Sequence, residues 1–258
     1  MPSARYDRLD VLRGAAIVWM TVYHFCFDLN HFRWIRQNFY ADPFWTWQRT
    51  AIVSLFLFCA GLSQAVAYAQ GQSWPRFWRR WGQIAGCALL VTAGSWFIFP
   101  HSYIFFGVLH GIAAMLIVVR LTARWGGWLW VGGAAALGLW AMMPAAHAAW
   151  PELEFLNRAP FHWLGLVSRK PVTEDYVPVF PWLGVMWWGM AAGQMLLSRR
   201  PQVLQEQLPR AGRPLAWMGR WSLTWYMLHQ PVLIGLVAAG TWMAGGRAHP
   251  VAPPAAGT

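Results

Sequence analysis

The sequence has little charge. Only 11% of its 258 residues are Asp, Glu, Lys or Arg, while 57% are hydrophobic. Soluble globular domains carry about 25% charged residues, so this composition excludes an ordinary soluble domain. It predicts an all-α polytopic membrane protein whose first partner is the lipid bilayer.

Cysteine and acidic residues are also scarce. The three cysteines, Cys26, Cys59 and Cys87, lie inside apolar runs, and no CxxC or Cys/His spacing occurs. This pattern predicts neither a disulfide framework nor a metal site. The sequence has twenty basic and nine acidic residues, and the basic ones are scattered through short loops. Scattered basic residues are typical of topology signals, so we predict no nucleic-acid partner.

Seven apolar segments have about the 20 residues that a bilayer requires. The basic residues between them predict a cytoplasmic N-terminus and a C-terminus on the opposite side. We therefore predict one transmembrane helical domain over residues 1–244 and a disordered tail over 245–258, which is rich in Gly, Ala and Pro. The seven predicted spans are 11–29, 50–69, 82–99, 103–121, 126–143, 179–198 and 215–240.

The first apolar segment carries ionisable residues on one helical face. Arg13 and His24 are eleven residues apart, so a helix brings them within about 20° of each other and about 16 Å apart along its axis. Asp28 falls about 60° from Arg13, on the same side. Titratable groups in a membrane helix usually face a protein interior or a wet cavity. His24 is therefore a candidate general base, which Asp28, one turn further on, is placed to orient.

Other polar residues lie on either side of the predicted bundle. The outer half holds four residues that could line the site, although for His110 and His229 we favour a structural hydrogen bond between helices. The inner end is rich in arginine, whose guanidinium group binds phosphate and pyrophosphate in a bidentate way. The outer four are His110, Asp175, Tyr226 and His229, and the inner candidates are Arg13, Arg80, Arg120 and Arg220.

Four sequence motifs resemble those of known membrane acyltransferases. RLDVLRG followed by YHF, with ten residues between Arg13 and His24, resembles the opening of acyltransferase family 3. Three further motifs resemble bacterial relatives of heparan-alpha-glucosaminide N-acetyltransferase. These are FGVLHGIA around His110, DYVPVFPWLGVMWWGMAAG from Asp175, and MGRWSLTWYMLHQPVLIG around His229. The resemblance covers most of residues 5–240.

The resemblance implies an acyltransferase of the bacterial inner membrane. Such an enzyme takes an acyl group, expected to be acetyl, from cytoplasmic acyl-CoA and gives it to an envelope acceptor, expected to be a carbohydrate, on the periplasmic side. By the resemblance, His24 would be the catalytic base and Arg13 would support acyl-CoA binding or the architecture of the site. From the residues themselves we add Asp28 to the catalytic pair and Arg80, Arg120 and Arg220 as further candidates for binding acyl-CoA, with no metal.

Alternatives remain at this stage. One is a proton-coupled transporter, and another is a non-catalytic membrane subunit of an envelope-polymer assembly. The choice between O- and N-transfer, between direct transfer and an acyl-histidine intermediate, and between a monomer and a homo-oligomer is also open.

Overall fold

The computed structural model describes residues 6–206 and 208–245, so nearly all of the predicted tail at 245–258 lies outside the described residues. The described chain is mostly helical, and no strand occurs among its elements beyond an isolated bridge between Phe106 and Tyr176. This confirms the predicted all-α class. The α-helices are α1 Asp7–His31, α2 Pro43–Ala69, α3 Trp74–Ile98, α4 Val108–Leu121, α5 Trp128–Ala149, α6 Val179–Arg199, α7 Gln202–Gln205, α8 Arg213–Arg220 and α9 Ser222–Met243.

Four described helices, α2, α3, α5 and α9, are long and apolar enough to cross a membrane, and α4 is a shorter apolar helix. Each of the seven predicted spans overlaps a described helix, although α1 and α6 are not among these four. Several bounds differ, since α2 and α3 begin earlier than predicted and α4 begins later. The last predicted span is divided at Trp221, whose backbone (φ −99°, ψ 23°) leaves the helical region between α8 and α9. The fifth continues through Pro144 to Ala149, because a proline inside a helix removes a single backbone hydrogen bond and need not end it.

The described chain forms two compact units. The first unit comprises Leu57–Glu206, and the second comprises Tyr6–Phe56 and residues 208–245. In the first unit, glycines let helices approach closely. A Cβ added at Gly61 would lie 2.0 Å from the Met186 carbonyl oxygen, and one at Gly189 would lie 2.2 Å from that of Phe58. Only glycine allows α2 and α6 to touch backbone to backbone in this way.

The long connection between α5 and α6 is held by side-chain hydrogen bonds. It contains the 3-10 helices Pro151–Asn157 and Ala159–Leu164. The Asn157 side chain accepts from the Ser168 backbone N–H at 2.9 Å, and the Tyr176 hydroxyl donates to the His162 carbonyl at 2.6 Å. Burial raises the pKa of Tyr176 above its ordinary value.

In the second unit, α1 packs against α8 and α9. Gly14 faces the backbone of Leu215, and Gly219 faces that of Asp10, where an added Cβ would lie 1.8 Å from the carbonyl oxygen. An aromatic cluster supports the middle of α1, with the Trp45 ring stacked 4.0 Å from that of Phe39. The close backbone contacts at Gly14 and Gly219 fix the N-terminal half of α1 against α8.

Four side-chain hydrogen bonds connect α1 and the chain that follows it to α9. Residue numbers rise together on both sides of these bonds, so α1 and α9 run parallel. The bonded pairs, in order, are Thr21–Trp225, His24–His229, Asp28–Gln230 and Trp34–Thr241. The candidate site consists of the two central pairs.

Candidate functional site

Two adjacent polar pairs join α1 to α9 in the second unit. His24 Nδ1 lies 2.7 Å from His229 Nε2, and the two rings are nearly parallel, with an interplanar angle of 13°. Gln230 Nε2 donates to Asp28 Oδ1 at 2.9 Å. His24 and Asp28 are four residues apart, which places them one above the other on the same face of α1. Four polar side chains from α1 and α9 thus form two pairs, one helical turn apart.

The hydrogen bonds of the histidine pair determine where its protons lie. His229 Nδ1 lies 2.8 Å from the Tyr226 carbonyl oxygen, which can only accept, so Nδ1 carries a proton. In a neutral ring His229 Nε2 is then an acceptor, and His24 Nδ1 must donate to it. The remaining nitrogen of neutral His24, Nε2, has a lone pair, and none of the residues in 6–206 and 208–245 bonds to it. The pair therefore presents one basic nitrogen.

The partner of His24 differs from the one that the sequence suggested. From helical spacing we expected Asp28 to orient the imidazole. In the structure the described contacts of His24 Nδ1 are with His229, and Asp28 bonds Gln230. Helical spacing places Asp28 on the correct face but does not reveal a partner on another helix. Tyr226, predicted to line the site, contributes its carbonyl to His229, with the two rings 5.7 Å apart.

Asp28 lies in an unusual environment. It is only 2% exposed, and its Oδ2 has no hydrogen-bond partner among the described residues. The same holds for Oε1 of Gln230. Two buried acceptor oxygens without donors are costly to a folded protein. The role of Gln230 was missed at the level of sequence, where the available signal was an amide next to His229 in an otherwise apolar helix.

His110 and Asp175 meet in the first unit, at the N-terminus of α4. Asp175 Oδ2 accepts from the Val108 backbone N–H at 2.8 Å. His110 Nδ1 accepts from the Gly107 N–H at 3.3 Å, and its Nε2 lies 3.0 Å from Thr92 Oγ1. Both ring nitrogens of His110 are engaged, so this arrangement leaves none for proton transfer. The geometry favours the structural interpretation for these two residues.

Two of the candidate arginines form ion pairs in the second unit. Arg13 Nη1 lies 2.8 Å from Asp10 Oδ1, and Arg220 Nη2 lies 2.9 Å from Asp7 Oδ1. Arg220 Nε is also 3.9 Å from Asp10 Oδ2. The Arg13 pair lies within α1, whereas the contacts of Arg220 with Asp7 and the buried Asp10 connect α8 to the start of α1. A phosphate group would have to compete with these carboxylates for both guanidinium groups.

The other two arginines lie in the first unit. The Arg120 guanidinium lies over the rings of Tyr68, Trp74 and Phe77 at 5.3–5.9 Å from their centroids and donates to the Gln72 carbonyl through Nη2. Its buried Nη1 has no hydrogen-bond partner in the described part of the chain. Arg80 is exposed and donates to Gln83 Oε1 at 3.2 Å. Aromatic rings thus orient Arg120 without any described ion pair to a carboxylate.

Comparison with known families identifies the chain. Residues 5–231 match the family described as heparan-alpha-glucosaminide N-acetyltransferase, catalytic. The chain belongs to this family. No protein with a curated description and no solved structure matches it.

Family membership and the apolar helices indicate a membrane acetyltransferase. Acetyltransferases of this kind generally take acetyl-CoA as the donor. Within residues 6–206 and 208–245, no group of three His, Cys, Asp or Glu side chains is placed to hold a metal ion.

Proposed function

We propose that the protein transfers an acetyl group from cytoplasmic acetyl-CoA to a carbohydrate acceptor on the periplasmic side of a bacterial inner membrane, with His24 as the general base. The observation that carries this proposal is the unbonded Nε2 of His24, directed by a hydrogen bond from its Nδ1 to His229. None of the described contacts uses this nitrogen to hold the helices together. A titratable group inside an apolar helix bundle is costly, so we assign it a functional role.

The proposed reaction uses the two histidines in different ways. His24 Nε2 removes the proton from the acceptor hydroxyl or amine, which attacks the thioester carbonyl of acetyl-CoA. The carbon–sulfur bond breaks, the proton passes to the sulfur, and CoA leaves as the thiol. His229 does not touch the substrate; it fixes the tautomer and orientation of His24. In the acyl-histidine variant of this reaction, the same Nε2 is the nucleophile.

The proposed topology has seven spans and a cytoplasmic N-terminus. Its support is the distribution of basic residues in the sequence, together with the parallel direction of α1 and α9. Parallel first and last spans require an odd number of crossings. Cysteine-accessibility labelling in spheroplasts tests this topology, and labelling of residue 245 from the cytoplasm only would contradict it.

Donor binding is a separate proposal with its own test. We retain Arg120 as the main candidate for the anionic groups of acetyl-CoA and Arg80 as a second one, because Arg120 has no described ion pair to a carboxylate, whereas Arg13 and Arg220 lie in ion pairs. Arg120→Lys keeps the charge but loses the planar fork, so the KM for acetyl-CoA should rise about tenfold. Arg158→Lys, at an exposed position between α5 and α6, is the matched control. Equal KM values in both variants would remove Arg120 from donor binding.

The central test is the replacement of His24. His24→Gln should lower kcat for acetyl transfer by about 10²–10⁴-fold, the usual contribution of a general base, and leave the purified protein folded. His147→Gln is the control, because its Nε2 bonds the Leu166 carbonyl in a loop of the other unit. Unchanged kcat in His24→Gln would refute the proposed role.

A proton-coupled transporter is the second candidate function, favoured by the hydrogen-bonded imidazole pair. Proteoliposomes containing the protein distinguish the two functions. Solute uptake driven by a proton gradient, without acetyl-CoA and without acetyl transfer, would favour the transporter and overturn the acetyltransferase.

A further inference from the structure

We infer that a groove at the start of α5 binds one anionic phospholipid, with an acyl chain in the groove and the phosphate group at Arg124. The groove lies wholly in the first unit, whereas the two polar pairs of the candidate site belong to the second. The inference therefore stands apart from the proposed acetyl transfer.

The groove is an apolar hollow of about 400 Å³, a volume within the usual range of ligand sites. It is lined by Trp125, Trp128, Val131 and Gly132. The last three are spaced i, i+3 and i+4, so they share one face of α5. The groove is open on one side, since Trp128 is 72% exposed. Because α5 is long and apolar enough to cross a membrane, we expect this open side to face lipid.

The short connection before α5 holds the groove in shape. Gly126 has a positive φ of 54°, which lets the chain turn between α4 and α5 and sets the Trp125 ring beside the helix. Trp187 on α6 supports that ring, with their centroids 5.8 Å apart, and donates to Thr122 Oγ1 at 2.9 Å. Gly132 gives the groove its depth, because it has no side chain and a Cβ there would lie 3.4 Å from the Trp187 ring.

The rim of the groove is cationic. Arg124 comes directly before Trp125, is exposed, and makes no hydrogen bond or ion pair with the described residues. A guanidinium group that no carboxylate occupies can bind a phosphate through two parallel hydrogen bonds. The indole N–H groups of Trp125 and Trp128 also have no acceptor in the described chain. Tryptophan prefers the headgroup level of a membrane, where such donors reach polar lipid atoms.

The end of the first unit that holds the groove carries excess positive charge. Contacts of Arg120 with Trp74 and of Gln194 with Ala123 bring the start of α3 and the ends of α4 and α6 to the level at which α5 begins. These ends and the chain next to them hold six exposed arginines and a single acidic residue, Glu206. The six are Arg76, Arg79, Arg80, Arg124, Arg199 and Arg200. Clustered arginines at a membrane surface attract anionic lipids, so the charge favours an anionic headgroup over a zwitterionic one.

The combination of an apolar groove and a cation at its end selects an amphiphile. Gly132 lies about 6 Å further along the axis of α5 than Trp128, so the groove runs from the level of the headgroups into the hydrocarbon region. A soluble phosphate would use Arg124 and leave the apolar walls uncovered. A phospholipid covers both at once, with its phosphate at Arg124 and its chain against Val131 and Gly132.

The experiment measures lipid binding to the purified full chain in an uncharged detergent by native mass spectrometry. The probes are dioleoyl phosphatidylglycerol, which is anionic, and dioleoyl phosphatidylcholine, which is zwitterionic. One phosphatidylglycerol molecule should bind about fivefold more tightly than phosphatidylcholine, since one arginine near an anionic headgroup contributes about this factor. An excess of glycerol 3-phosphate, which has the phosphate but no acyl chain, should not displace it.

Two pairs of variants test the two ends of the site separately. Arg124→Gln should lower the affinity for phosphatidylglycerol about fivefold, to that for phosphatidylcholine. Arg158→Gln, which removes the same charge from an exposed position after α5, should not. Gly132→Leu fills the groove and should weaken the binding of both lipids. Gly138→Leu is its control, because Gly138 is also on α5 and a Cβ there meets open space.

Thermal unfolding shows which variants are folded. Gly132→Ala replaces Gly132→Leu if the larger side chain prevents folding, because its Cβ meets the Trp187 ring only at ordinary contact distance. It fills less of the groove, so it should weaken the binding of both lipids by a smaller factor. No acetyl-CoA or acceptor is present in these measurements, so failure of the proposed function would leave the lipid site standing.

Four outcomes would overturn the inference. Equal affinities for the two lipids, or equal losses in Arg124→Gln and Arg158→Gln, would indicate general surface charge. Unchanged binding in Gly132→Leu would show that no acyl chain enters the groove. Displacement by glycerol 3-phosphate would assign Arg124 to a soluble phosphate. Disulfide cross-linking between two copies through Trp128→Cys in lipid bilayers would show that a second copy covers the groove.

Discussion

Replacement of His229 tests whether His24 depends on a partner from another helix. His229→Met fills a similar volume but removes the acceptor for His24 Nδ1. His229→Gln places an amide oxygen near the position of the lost Nε2, 2.7 Å from His24 Nδ1 in the wild type, and can still accept this hydrogen bond. The two variants therefore differ mainly in the bond that determines the tautomer of His24.

The magnitude can be bounded from both sides. A hydrogen bond of this kind contributes about 0.5–1.5 kcal/mol, so its loss alone lowers kcat by up to about tenfold. Without this bond His24 also adopts the other tautomer. The upper bound on the loss of kcat is then the whole contribution of a general base, about 10²–10⁴-fold. We expect kcat to fall by tenfold or more in His229→Met and by less in His229→Gln, with the KM for acetyl-CoA unchanged in both.

The assay is the release of CoA thiol from acetyl-CoA by the purified protein in detergent, with methyl α-glucosaminide as the acceptor. Size-exclusion profiles and tryptophan fluorescence establish that each variant is folded, and His147→Gln is the kinetic control. Wild-type kcat in His229→Met would refute the assigned tautomer. Equal losses in the two variants would show that volume, and not the hydrogen bond, determines the activity.

Two further predictions concern stability. Gly219→Ala should destabilise the protein by about 1–3 kcal/mol, because the new Cβ would lie 1.8 Å from the Asp10 carbonyl oxygen. Gly235→Ala, where an added Cβ meets open space, should not, and equal thermal unfolding temperatures would contradict the close approach of α1 and α8. Burial raises the folded-state pKa of Tyr176, so its contribution to stability is complete below about pH 10, the unfolded value, and is lost as the pH rises toward the folded value. Tyr176→Phe should remove this alkaline loss in thermal unfolding scans, and an unchanged pH dependence would assign the loss to other groups.

The helices were predictable because apolar runs of about 20 residues are a strong local signal. The interruption at Trp221 was not predicted, although α8 contains two arginines and is much less apolar than α9, because the break depends on how α8 packs against α1. The fifth span was predicted to end at 143, whereas the helix runs on to Ala149 with Pro144 inside it.

The site was predictable only as far as one helix extends. Spacing on α1 brought Arg13, His24 and Asp28 to one face, and His24 keeps its candidate role as the base. Which residue bonds His24 depends on how α9 is rotated and crosses α1, and that rotation is set by packing along the whole interface. The partner lies 205 residues away in the chain, beyond the reach of any periodicity.

The separation of the two histidines along the chain also has a consequence for biosynthesis. His24 is translated early, whereas His229 and Gln230 are translated close to the end of the described chain. A nascent chain that has inserted its first helices therefore contains the proposed base but not the residue that accepts its hydrogen bond. Both polar pairs form only once α9 packs against α1, so we expect a chain truncated before α9 to lack the proposed site.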